Sequence, residues 1–209
     1  MKTFLLASGV ALLSMCTLNA QEVPPFAFNI GAGFTQPVGN TGRHLDMGWN
    51  GDVGAGFNFS SHVGALVQVN FNQLGINSGI LNNIGVPGGD VRLWSATLDP
   101  IVHLHPRGPM DVYLIGGGGL YQRTQEFTTP SVATFVGFDP FFGFYQAAVP
   151  ATTVLSSYTV NKPGVNGGMG FAFGNRWHGK FYAEARYHRM FLGNDRHMDI
   201  VPVTFGFRW

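Results

Sequence analysis

The sequence predicts an all-β fold: an eight-stranded antiparallel transmembrane β-barrel with short periplasmic turns and long extracellular loops. Three observations predict it. Apolar residues recur with period two along eight stretches after residue 21, the spacing that turns one face of a strand toward an apolar medium. The connections alternate short and long, which gathers the long ones at one end and both termini at the other. Charge is scarce: 12 Lys and Arg with 11 Asp and Glu make 11% of 209 residues, against about 25% in ordinary soluble proteins.

The elements follow in order. Met1 and Lys2 give a short positive start, residues 4–13 an apolar stretch, and Leu18-Asn19-Ala20 a small residue at a cleavage position. That is the pattern of a signal peptide over residues 1–20, leaving 21–209 as the barrel domain. The only cysteine, Cys16, falls in the removed segment, so disulfides and thiol chemistry are excluded from the mature chain. Phe26, Phe28, Ile30, Ala32 and Phe34 then alternate with small or polar residues. The same alternation recurs in Trp49 to Phe59, Val63 to Phe71, Trp94 to Leu104 and Val112 to Leu120. It continues through Val165 to Phe173, Phe181 to Tyr187 and Val201 to Trp209. Residues 60–62, 106–109 and 174–179 read as short turns. Residues 36–48, 73–90, 124–157 and 192–199 read as long loops.

A secreted soluble barrel or sandwich would bury the apolar face instead. Against it, the opposite faces mix Asp, Glu, Arg, Gln and Asn with Gly, which suits a narrow polar interior. Charges are nearly absent from the apolar faces, and the chain closes on aromatics in that register. The net charge of +1, with Lys only at positions 2, 162 and 180, excludes a basic nucleic-acid binder. Nineteen Phe exclude disorder.

The whole mature chain resembles the small outer-membrane β-barrel family of the OmpA/OmpX type. The signal pattern carries the resemblance, with Phe26-Ala27-Phe28-Asn29-Ile30-Gly31-Ala32-Gly33-Phe34, Tyr182-Ala183-Glu184-Ala185-Arg186-Tyr187 and Val203-Thr204-Phe205-Gly206-Phe207-Arg208-Trp209. It implies localisation in the cell outer membrane, contact with outer-membrane lipid, and recognition of Phe205, Phe207 and Trp209 by the barrel assembly machinery. The peptidoglycan-binding domain of some relatives is expected to be absent.

Parity places Asp52, Asp99, His103, His105, Asp111, Arg123, Glu184, Arg186, His188 and Arg208 on the inner wall. Eight strands leave an interior that side chains can fill, so these residues are expected to form a polar network that largely plugs it. His103 and His105 form an H-x-H pair, with Asp111 opposite His105 and Tyr113 opposite His103. A histidine–aspartate hydrogen bond is the expected outcome rather than a metal site. Ser95, Asp99 and His103 share a face, but eight residues at about 3.3 Å each hold Ser95 and His103 far apart, so they form no triad. No residue pattern calls for a cofactor, metal or catalytic role. Glycines of the inner face, among them Gly31, Gly168 and Gly170, are expected to make room for Tyr113, Tyr121, Tyr182 and Arg186.

The third long loop carries Phe127, Phe135, Phe138, Phe141, Phe142, Phe144 and Tyr145 against only Glu126 and Asp139 as charges. So many aromatics in a solvated loop point to an interaction surface for an extracellular ligand or protein. The expected function is therefore a structural or surface-interaction role in the outer membrane, not catalysis. The alternative is passage or binding of small apolar molecules, as in OmpW-like barrels. A lipid-modifying enzyme comes third.

Overall fold

The computed structural model describes residues 24–106, 109–175 and 179–209; the expected signal segment, residues 1–20, lies outside them. Among the described residues, eight strands follow one another around a closed ring. They are β1 (Phe26–Pro37), β2 (Gly48–Asn58), β3 (Val63–Gly75), β4 (Gly88–His103), β5 (Met110–Asp139), β6 (Gly143–Asn175), β7 (Gly179–Gly193) and β8 (Arg196–Arg208). Every neighbour is antiparallel, and β1 closes on β8 through pairs such as Ala32↔Phe205. Closure leaves no open sheet edge within the barrel, which lets strands cross a lipid phase with their backbone satisfied. A 3-10 turn (Thr41–Arg43) and one short helix, α1 (Ser78–Asn83), occupy connections. No described helix is long and apolar enough to cross a membrane.

The distribution of polarity is inverted relative to a soluble domain. Ile30, Val53, Val67, Leu98, Leu114 and Met169 point outward and are exposed, whereas Asn29, Asp52, Gln68, Ser95, Thr97, Glu184 and Arg186 are buried inside. Aromatic rings meet at two levels of the outer face. Trp49 and Phe71 lie 5.0 Å apart and Phe71 and Trp94 4.7 Å at one level. Phe26 and Phe57 lie 5.7 Å apart and Phe181 and Phe207 5.2 Å at the other. Trp49 and Phe57 belong to the same strand, eight residues or roughly 26 Å apart at ~3.3 Å per residue. Strand tilt of ~40° leaves about 20 Å along the axis, near the ~25 Å apolar band of outer-membrane barrels.

Two connections differ from expectation. Residues 124–157 are not a loop: β5 and β6 run 30 and 33 residues and stay paired out to Asp139↔Gly143. β5 leaves β4 after Gly88↔Thr128, and β6 joins β7 only at Gly164↔Met190. Between those points the two strands form a free ribbon, projecting roughly 36 Å beyond Thr128 at ~3.3 Å per residue. Thr, Val and aromatic residues favour this extended form. At residues 192–199 the expected long loop is a two-residue hairpin. Asn194 and Asp195 both adopt positive φ, 50° and 57°, as a type I′ turn requires, and Gly193 pairs with Arg196.

Candidate functional site

Inward parity brings side chains from distant strands onto one axis, and these sort into three levels. At the periplasmic level His103 Nδ1 bonds Asp111 Oδ2 at 2.5 Å, with Lys180 Nζ 4.0 Å from the same carboxylate. His105 does not join them: its side chain is exposed, and only its backbone N–H reaches Asp111, at 3.4 Å. Parity alone places His105 inside, but the strand β4 ends at His103, so alternation no longer governs position 105. Among the described residues no group of three His, Cys, Asp or Glu could hold a metal.

The waist is crossed by a continuous set of charged and polar contacts. Arg186, buried on β7, donates to Glu184, to Gln68 and, at 2.9 Å, to Asp99. Asp99 also accepts from Thr97 at 2.7 Å and Asn166 at 2.8 Å. Asp52 accepts from Asn29 at 2.6 Å, Gln68 at 2.9 Å and Tyr182 at 3.1 Å. Arg208 lies 4.8 Å from the Tyr113 ring and 5.1 Å from the Tyr182 ring, with Nη2 3.7 Å from Glu184. His188 Nδ1 meets Tyr121 Oη at 2.9 Å. Buried ions need such partners, because a bare charge in a low-dielectric interior is expensive.

Glycines make the crowding possible. A Cβ on Gly170 would overlap the Tyr113 ring, one on Gly31 the Tyr182 hydroxyl, one on Gly206 the Tyr182 ring, one on Gly164 the Tyr121 ring, and one on Gly168 the backbone at Arg186. Of the inner-face glycines expected to make this room, Gly31, Gly168 and Gly170 do so, while Gly33, Gly54 and Gly56 face Val203, Gln68 and Leu66 instead; Gly164 and Gly206, which follow the same alternation, add to the set.

The extracellular level is apolar, which the sequence did not reveal. Leu74, Val91, Leu93, Met190, Met198 and Ile200 form one buried cluster with Tyr121 at its base. Above it opens a cavity of about 240 Å³, bordered by the β1–β2 connection, α1 and the β7–β8 hairpin. Arg123 stands here, not in the waist network: it is half-buried, and Nη2 reaches only Gln125, at 3.4 Å. Phe127, expected on an external surface, instead packs against the apolar cluster.

The remaining aromatics of that stretch are outside. Phe135, Phe138 and Tyr145 are exposed along the ribbon, and Phe141, Phe142 and Phe144 are 91%, 89% and 80% exposed at and beside its tip. The tip is ordered locally. Asp139 Oδ1 accepts from the backbone N–H of Phe141 at 2.7 Å and Phe142 at 3.0 Å. Gly143 takes φ +79°, a left-handed value that favours glycine, and the rings of Phe138 and Phe144 lie 5.1 Å apart. At the other end of the molecule Phe205, Phe207 and Trp209 face outward, with Phe207 and Trp209 5.8 Å apart and Trp209 6.1 Å from Phe28.

A closed eight-stranded ring with an apolar outer face and a polar waist defines an outer-membrane barrel. The chain belongs to the outer membrane protein β-barrel domain family, whose model matches residues 8–208, and it is localised to the outer membrane. Solved structures share the fold. Ail, the attachment invasion locus protein of Yersinia pestis, solved in complex with the heparin analogue sucrose octasulfate, is 18% identical with a TM-score of 0.51; 89% of this chain and 100% of that chain are covered. Neisserial surface protein A is 13% identical with a TM-score of 0.57, covering 90% and 98%. A major outer membrane protein of Thermus thermophilus is 13% identical with a TM-score of 0.57, covering 88% and 98%. At such identities the likeness is one of fold. No curated protein matches the chain.

Proposed function

We propose that this protein is a closed, non-enzymatic surface-interaction barrel that contacts an apolar extracellular surface through the tip of its β5–β6 ribbon. Residues 1–20 act as its export signal, and Phe205, Phe207 and Trp209 present the strand that the assembly machinery reads. The observation that carries the proposal is the tip itself: three nearly fully exposed Phe on a turn capped by Asp139. A patch of this kind on a projecting element is costly in water and useful only against a partner.

Chemistry narrows the partner. Residues 127–161 contain no Lys or Arg and only Asp139 as a charge, so a sulfated polyanion of the kind bound to Ail finds no cation on the ribbon. An apolar protein or lipid surface fits better. The passage alternative is disfavoured by the Arg186, Gln68 and Asp99 contacts that span the waist. Neither cofactor nor catalytic residue enters this reading.

Cells displaying the protein should attach to an octyl-coated surface several times better than to a heparin-coated one. The double variant Phe141→Ser, Phe142→Ser should lose that preference while keeping the heat-modifiable gel mobility of a folded barrel. Equal attachment of the folded variant would overturn the proposal.

A further inference from the structure

The extracellular cavity combines features that the ribbon does not use. Its walls include Ile76, Val91, Phe127 and Met198, and its floor is the buried apolar cluster below. Asn40, Thr41, His44, Gln125 and His197 add polar groups to this lining, and Arg123 is the one described Arg or Lys in it. It forms no ion pair with any carboxylate among the described residues, and its Nε is buried without a hydrogen-bond partner. The nearby acids are already committed. Asp199 holds Arg189 at 2.8 Å and His197 at 3.3 Å, while Asp90 and Glu126 hold Arg92 at 3.1 and 3.0 Å. His44 is engaged with the Asn40 carbonyl at 2.8 Å. A guanidinium half removed from water beside an apolar wall, with no counter-charge, is an unmet electrostatic demand.

We infer that this cavity is a binding site for a small amphipathic monocarboxylate, its anionic head on Arg123 and its apolar part against Ile76, Val91, Phe127 and Met198. The size agrees. At about 240 Å³ the cavity falls just below the ~300 Å³ lower bound for drug-sized ligands, which suits a short acyl or arylalkyl chain. The planar fork of Arg matches a carboxylate in two-point contact. Gln125, 3.4 Å from the guanidinium, can turn its amide N–H toward the second oxygen. The waist network beneath the cup keeps this a site entered from outside, not a stage in transport. It is compatible with the ribbon proposal and independent of it.

The test uses the full barrel in lipid nanodiscs, with empty nanodiscs as the partition background, and isothermal titration with octanoate, 3-phenylpropionate and octanamide. Both carboxylates should bind saturably, and octanamide about 10–100-fold more weakly, the range expected for losing one charge-assisted contact. Preference between the two carboxylates distinguishes a lipid-derived from an aromatic source. Arg123→Met should erase the difference between octanoate and octanamide, and Arg123→Lys should retain most of it. A barrel trimmed of residues 130–152 should bind octanoate as the full chain does, which separates this site from the ribbon. Equal binding of octanoate and octanamide by the unaltered protein would overturn the inference, as would absence of saturable binding. The comparison within the unaltered protein stands even where Arg123→Met fails to fold.

Discussion

Replacing Arg186 by Met tests whether the waist is held by charge. The side chain is buried at 3% exposure and supplies contacts to Glu184, Gln68 and Asp99. Among the described residues, the interior at this level holds three carboxylates, Asp52, Asp99 and Glu184, against two guanidinium groups, Arg186 and Arg208. Met fills similar volume but removes one cation, so Asp99 keeps Thr97 and Asn166 as donors yet has no counter-charge. Charge-assisted bonds of about 1.5–3 kcal/mol each would sum to more than the true loss, because Glu184 and Asp99 share one cation and are coupled. Breaking a buried pair from one side costs about 3–5 kcal/mol, and that is the expected destabilisation.

Urea unfolding of the barrel in lipid vesicles measures it, with the lipid-facing Trp49, Trp94 and Trp209 reporting departure from the bilayer by fluorescence. The double variant Arg186→Met, Asp99→Asn removes the stranded charge, Glu184 keeping Arg208 at 3.7 Å, and should recover at least half of the loss. A loss below about 1 kcal/mol for the single variant would refute the reasoning, given that buried pairs broken from one side cost more. So would a double variant no more stable than the single one, since the penalty would then come from packing. Single-channel recording adds a second readout: intermittent conductance is expected from the Arg186→Met protein and none from the unaltered barrel.

Two further outcomes follow from the inner glycines and the terminal strand. Gly168→Ala places a Cβ against the Ala185 carbonyl oxygen, a backbone atom that cannot swing aside, and should cost about 1–3 kcal/mol by the same unfolding assay. Gly51→Ala, whose nearest neighbour is the Gly31 carbonyl oxygen at 3.7 Å, should change stability by less than about 0.5 kcal/mol; equal effects would break the packing argument. Trp209→Ala should lower the amount of heat-modifiable barrel recovered from outer membranes several-fold. Unchanged recovery would remove Trp209 from the assembly signal.

The fold was legible wherever a strand separates two different media. Lipid on one side and a polar lumen on the other impose strict alternation, so Phe26 to Phe34 and Phe181 to His188 announce both strand and face. Beyond the bilayer both sides of β5 and β6 meet water, the contrast vanishes, and residues 128–154 read as a loop although Thr128, Val132, Thr134, Val136 and Val154 suit a strand. The Asn194-Asp195 turn was hidden for a different reason. Polar Arg196, His197 and Asp199 interrupt the apolar alternation there, whereas the left-handed tolerance of Asn and Asp is the stronger signal.

The site is harder to read than the fold because parity assigns a face but neither a partner nor a medium. Asn29 meets Asp52 on the adjacent strand 23 residues on, but Arg186 finds Gln68 across 118 residues, a pairing that only closure of the ring creates. Arg123 shows the limit most clearly: it shares inward parity with Tyr121 and Tyr113 on β5, and parity alone enrols it in the waist network. Its register neighbours, however, are Leu93 and Val160, one step of the ladder above the last polar contact. Leu74, Val91, Leu93, Met190 and Ile200 carry the same parity as Asp52 or Glu184 and differ only in height along the axis. The barrel interior is therefore two sites stacked under one alternation. The lower is crossed by the Arg186 and Arg208 ion pairs with Asp99 and Glu184. The upper is a cup with an apolar floor in which Arg123 faces a ligand-sized space without an ion pair among the described residues.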